Sequence, residues 1–175
     1  MALEDLGKSL QAEPLLRALE GHGVDFVVIG GVAGLAQGSS YPTFDLDVAY
    51  SRDPANLRRL VEALAEVGAT LRGAPPDLPF QLDVQTLANG ANFTFDTEFG
   101  SFDVLADIAG VKSYEDLREA SKVKRIAGVE VRVASLDDLI SMKRAANRAK
   151  DQLMVLEYVE LAGELRRREE EEAGD

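Results

Sequence analysis

Residues 44–50 alternate carboxylates with aliphatic side chains, as Asp45-Leu46-Asp47-Val48. In a strand, residues two apart point to one face, ~6.6 Å apart along the chain. Leu46 and Val48 then face a core, while Asp45 and Asp47 stand together on the other side. Two carboxylates so placed repel each other and destabilise a fold unless a cation bridges them. A third acid, Asp103, lies between Phe102 and Val104 in another alternating stretch. If the two strands run side by side, the three acids form one cluster. Hard divalent cations such as Mg²⁺ take oxygen ligands of this kind. A cluster of this size suits two ions ~3.5–4 Å apart, an arrangement used for in-line phosphoryl chemistry.

The rest of the chain predicts an α+β layout. Leu3, Leu6 and Leu10, then Leu15, Leu16 and Leu19, recur at helical spacing, with Pro14 in the first turn of a second helix. Residues 24–29 read as an apolar strand, Gly30-Gly31 breaks it, and 32–37 read as a short helix. A strand over 44–50 precedes an amphipathic helix over 54–67, capped by Asp53. A strand over 70–72 leads into loops over 73–92, which contain Pro75-Pro76. Hairpins are expected about Gly100 and about Ala127-Gly128, with a helix at 114–120 between them. Ser135 caps a final helical stretch over 136–168, interrupted near Asn147, and the charge run 166–175 is expected to fray.

Composition narrows the chemistry. The 175 residues fit one domain with a sizeable core. There is no cysteine and one histidine, so thiol chemistry, disulfides and multi-His metal sites are excluded. Nineteen basic against thirty-one acidic residues give a net charge of −12, of which the stretch 164–175 supplies −3. Such a surface repels bare nucleic acid and attracts divalent cations. Residues 1–11 alternate charges with leucines and read as neither signal peptide nor targeting arm. No apolar run approaches the ~20 residues that span a bilayer, so no membrane partner is expected and the expected location is the cytoplasm.

The glycine pair supplies a phosphate side. Glycine lets backbone approach a phosphate closely, and helix N-terminal N–H groups attract anions. Gly30, Gly31 and Gly34 fit neither the Walker loop nor the dinucleotide fingerprint. Taken together, Ile29-Gly30-Gly31, thirteen intervening residues, Asp45-Leu46-Asp47-Val48 and Phe102-Asp103-Val104 resemble the nucleotidyltransferase (polymerase-β-like) superfamily. Thr43 also fits that pattern. The stretch from Asp138 through Lys143-Arg144 to Arg148-Ala149-Lys150-Asp151 looks like the abortive-infection (AbiEii-type) toxin branch and its small stand-alone relatives.

The resemblance implies a single nucleotidyltransferase-like domain over 1–165, with N-terminal helices at 1–20, a core at 24–133, C-terminal helices at 135–165 and an acidic tail at 166–175. It implies a mixed β-sheet with helices packed on it. A nucleoside triphosphate would bind with two Mg²⁺ ions (Mn²⁺ being the alternative), and an acceptor hydroxyl would attack the α-phosphate. Asp45, Asp47 and Asp103 would be metal ligands and catalytic residues, with Asp103 also helping to take the acceptor's proton. Gly30, Gly31, Lys143 and Lys150 would contact the nucleotide, and Lys143 would also be catalytic. Gly31 stands where many members of the superfamily have serine, and Ser39 or Ser40 would replace that hydroxyl. Lys143, Asn147, Lys150 and Asp151, at offsets 0, 4, 7 and 8, would share one helix face, with Asp151 orienting a lysine or arginine.

The acceptor is open at this point: RNA, protein or a small molecule. A cognate antitoxin protein is the partner that the toxin branch implies. The competing readings are a non-catalytic nucleotide- or partner-binding module of the same fold and an antibiotic-type small-molecule nucleotidyltransferase. Asp96 and Glu98 read as surface, Asp137-Asp138 as helix-start chemistry, His22 as a turn residue and Glu169–Glu172 as a solvated run.

Overall fold

The computed structural model describes residues 9–174; the leucines predicted to form a first helix at 3 and 6 lie outside them. Helix α1 (Ala12–Gly21) leads into β1 (Phe26–Ile29), α2 (Gly30–Ala36), β2 (Asp45–Tyr50) and α3 (Pro54–Glu66). Then come β3 (Thr70–Leu71), α4 (Val84–Asn89), β4 (Asn92–Thr97) and β5 (Gly100–Leu105). The chain ends with α5 (Tyr114–Ala120), β6 (Lys122–Ile126), β7 (Val129–Val133), α6 (Leu136–Ala146) and α7 (Ala149–Ala173).

The strands form one mixed sheet in the order β3-β4-β5-β2-β1-β7-β6. β2 pairs parallel with β5 and antiparallel with β1, so β2 sits at the centre with acids facing its neighbours' site-side residues. Leu46, Val48, Phe102 and Val104 point to the opposite face and are buried. They join a core with Leu15, Leu16 and Leu19 of α1 and Leu57, Leu60 and Leu64 of α3. Each such leucine stabilises the fold by about 1.5–3 kcal/mol through burial.

Local signals account for the helix starts. Asp53 accepts from Ala55 N at 2.9 Å, with Pro54 at the first helical position. Ser113 caps α5, and Ser135 caps α6 while bonding to Asp138. Both predicted hairpins form, as β4–β5 and β6–β7. Three expectations change. The loop region contains α4, a six-residue helix capped by Asp83 and anchored by a single buried side chain, Leu87. α2 begins at Gly30 itself rather than after the glycines. The charge run does not fray: α7 continues to Ala173, and its end is tied by Lys122–Glu169 at 3.6 Å and Arg166–Asp137 at 3.9 Å. Among the described residues no helix is long and apolar enough to cross a membrane.

Candidate active site

Pairing of β2 with β5 sets Asp47 directly opposite Asp103 and Asp45 opposite Ser101. Adjacent strands lie ~4.8 Å apart, so the three expected acids share one face. Burial, then the charges of Asp103 and Asp45, push the Asp47 carboxyl up to about 7; Lys143 pulls weakly the other way. Asp47 and Asp103 shift each other's titration, and the proximity of Asp103 favours the protonated form of Asp47. Burial also raises Asp103, against the pull of the Arg72 guanidinium.

Glycine is required beside this cluster. Gly30 has φ +66°, and a Cβ there would collide with the Asp47 carboxylate. At Gly31 a Cβ would lie 2.6 Å from both Cβ and Oγ1 of Thr43. A serine cannot enter that space unless Thr43 moves, and Thr43 itself brings a hydroxyl to it. Ser39 and Ser40, expected to replace the missing hydroxyl, are engaged elsewhere. Ser40 bonds Glu157 of α7 through Oγ at 2.6 Å and N at 3.0 Å, and Ser39 is buried, its Oγ accepting from Tyr41 N.

A cavity of about 400 Å³ opens beside Asp47. Gly30, Leu105, Ile108, Met142, Lys143 and Arg148 line it, giving an apolar wall with two cations at one side. Both cations are held by Asp151, which is fully buried: Lys143 Nζ at 3.2 Å and Arg148 Nε at 2.7 Å. Burial would raise the Asp151 carboxyl, but the Arg148 and Lys143 hydrogen bonds outweigh it and hold it at about 2.

The orienting role expected of Asp151 thus has a geometry, but not the expected one. Asn147 adopts the left-handed conformation (φ 50°) and ends α6, and Arg148 opens α7. Lys143 and Asp151 face each other across a helix–helix corner rather than along one helix. Lys150 is exposed in the first turn of α7 and does not line the cavity; Arg148, which the sequence placed in the basic segment but not among the nucleotide contacts, does.

Arg72 is the other residue the sequence did not single out for chemistry. It donates from Nη2 to Asp103 Oδ1 at 2.7 Å and to Phe95 O at 2.9 Å, and from Nε to Asp96 Oδ1 at 3.1 Å. Among the described residues no three acidic or histidine side chains already converge as a metal site. The donor set nevertheless suits a hard divalent cation. Asp45, Asp47 and Asp103 offer only carboxylate oxygens on one face, and Asp47 lacks an ion-pair partner among the described residues. Gly30 leaves room for that carboxylate beside the α2 start.

No protein-family model matches this chain, and no curated protein matches it. Solved structures do. A lincosamide antibiotic adenylyltransferase, LnuA, determined with lincomycin bound, superposes with a TM-score of 0.59 at 11% identity, over 88% of this chain and 99% of that one. A nucleotidyltransferase described as putative, from Thermotoga maritima, has a TM-score of 0.47 at 15% identity over 91% of each chain. The antibiotic-resistance factor ANT(2'')-Ia has 0.47 at 12%, over 91% of this chain and 95% of that one. At these identities the likeness is one of fold: the chain has the α+β nucleotidyltransferase fold.

Proposed function

We propose that the chain is a metal-dependent nucleotidyltransferase, which moves a nucleoside monophosphate from a nucleoside triphosphate to an acceptor hydroxyl. The observation that carries this is the register of β2 on β5: two carboxylates directly opposed, with a bare glycine against one of them and a cation-lined cavity alongside. Opposed carboxylates are unfavourable in an ion-free fold, and their retention at the mouth of a cavity suits a ligand-binding purpose.

In this reading Asp45, Asp47 and Asp103 hold two Mg²⁺ ions, whose chemistry when bound is to neutralise phosphate charge and acidify the acceptor hydroxyl. Lys143 and Arg148, oriented by Asp151, receive the triphosphate, with Gly30 and the Thr43 hydroxyl beside it. The acceptor oxygen forms a bond to the α-phosphorus as the bond to the β-phosphate oxygen breaks. Pyrophosphate leaves, and the acceptor's proton passes to Asp103. Leu105, Ile108 and Met142 give the nucleoside an apolar wall.

A small-molecule acceptor fits better than RNA, because the open sheet face carries Asp45, Asp96 and Asp103 on a chain of net charge −12. Such a face suits a cationic, hydroxyl-bearing compound, the class to which antibiotic acceptors belong. A toxin-type enzyme would instead act on RNA or protein and would be held by an antitoxin. The test is incubation with each α-labelled triphosphate, Mg²⁺ and, separately, metabolite, RNA and protein fractions. Label in the metabolite fraction is the expected result. Label in RNA or protein would move the chain to the toxin reading, and none in any fraction, with nucleotide bound, would leave a binding module.

A further inference from the structure

We propose that Arg72 is a positioning residue that holds Asp103 in the ion-free protein and gives it up when a divalent cation binds the three acids; the proposal rests on the nucleotidyl-transfer reading above. Among the described residues, the ion pair with Arg72 is the only one made by Asp45, Asp47 or Asp103. A surface pair with Asp96, half exposed, would be enough to anchor Arg72 at the sheet edge. The shorter bond instead goes inward, to a carboxylate whose side chain is 16% exposed and which faces Asp47. The guanidinium therefore supplies, to the acid expected to take the acceptor's proton, the positive charge that an ion would otherwise supply.

The placement of Arg72 suits an exchangeable contact. It follows β3, an edge strand of two residues paired only with β4, and precedes Gly73 (φ +71°) and the Pro75-Pro76 turn. Its remaining partners, Asp96 and the Phe95 carbonyl, are both on β4. They keep the guanidinium at hand after Asp103 is released. The arrangement makes cation binding a competition within the protein, so that Asp103 leaves Arg72 only in the ion-loaded state.

The test is direct titration of chelator-treated protein with Mn²⁺, read by the loss of the free-ion paramagnetic resonance signal, without nucleotide. Arg72→Gln removes the competing charge and is expected to bind Mn²⁺ about tenfold more tightly than the parent, the scale of a lost charge-assisted hydrogen bond. Arg72→Lys keeps the charge without the fork and is expected to fall between them. Adding Asp103→Asn to Arg72→Gln should return the affinity to the parent value or below. Unchanged or weaker Mn²⁺ binding by Arg72→Gln and Arg72→Lys, with the parent binding Mn²⁺ normally, overturns the exchange and leaves nucleotidyl transfer standing. Mn²⁺ binding by none of the proteins, or binding indifferent to Asp47→Asn, overturns the metal-dependent reading and the exchange with it. Should Arg72→Gln not fold, Arg72→Lys against the parent decides the same question.

Discussion

Asp47 and Asp151 are the same side chain withdrawn from water a short way apart in the fold, one half-buried and one fully buried, yet their surroundings are opposite. Asp151 is held by Lys143 and Arg148 and stays ionised down to about pH 2. Asp47 faces Asp103 and Asp45, has no ion-pair partner among the described residues, and is pushed up to about 7. One carboxylate is satisfied by the protein alone. The other is left with like charges for company, which costs stability at neutral pH until a proton or a ligand relieves it. Under the proposed function, the contrast distinguishes an acid that orients Lys143 and Arg148 from one that awaits a ligand.

Substitution by asparagine gives the widest separation. Asp47→Asn is expected to lower nucleotidyl transfer by about a thousandfold or more, while leaving the melting temperature of the chelator-treated protein unchanged or higher. Asp151→Asn leaves two cations on a neutral amide and is expected to destabilise the protein by about 3 kcal/mol, a fall of roughly 6–12 °C for a chain of this size. Thermal melts in chelator and a labelled-transfer assay check both. If Asp47→Asn melts as low as Asp151→Asn, the difference between the two acids collapses and Asp47 is structural.

Much of this contrast was legible in the sequence, and what was not has identifiable causes. The alternation in β2 put Asp45 and Asp47 on one face, and that in β5 set Asp103 apart from its apolar neighbours, because the two-residue period of a strand is local; the pairing that joins them is not a local signal. Ser135, Asp53 and the two hairpin turns were legible for the same reason. The partners of the charges were not. Arg72 meets Asp103 across 31 residues of sequence, and no local period records that meeting. The Asn147 interruption was visible, but the left-handed turn it makes was not used, so Lys143, Lys150 and Asp151 were placed on one face when the chain turns a corner between them. α4 was missed because six residues with one buried leucine carry too little periodicity to show.

pH provides the next, smaller test. A carboxyl whose folded pKa is raised contributes stability that is complete below its unfolded pKa, near 4, and is lost as pH rises through the folded value. Asp47 therefore makes the chelator-treated protein less stable between pH 5 and pH 8, with Asp103 acting in the same direction. The expected change is on the order of 2 kcal/mol, roughly 4–8 °C. Asp47→Asn should flatten most of this slope, and saturating Mg²⁺ should reverse it. Asp151 has the opposite sign: its contribution is present above pH 4 and is lost only as pH falls toward about 2. A melt profile that rises from pH 5 to 8 without metal would contradict the environment assigned to Asp47.

The smallest expected effect, at Lys143, decides how the two acids cooperate. Its side chain is 15% exposed and touches Asp151, so it is not a solvated lysine. Lys143→Ala removes one of two partners, but Arg148 still donates from Nε at 2.7 Å and Nη2 at 3.3 Å, so Asp151 is not orphaned. The expected stability loss is about 1 kcal/mol, well short of that for Asp151→Asn. Nucleotide transfer measured far below the melting temperature should fall about tenfold or more. If Lys143 meets the triphosphate mainly as charge develops on the leaving pyrophosphate, kcat falls while KM holds; if it only holds the nucleotide, KM rises. Lys143→Arg keeps the charge and should recover part of either loss, because a point charge is sufficient for phosphate. A Lys143→Ala protein with unchanged kcat and KM but the 1 kcal/mol loss would confine Lys143 to pairing with Asp151 and leave Arg148 as the cation that serves the cavity.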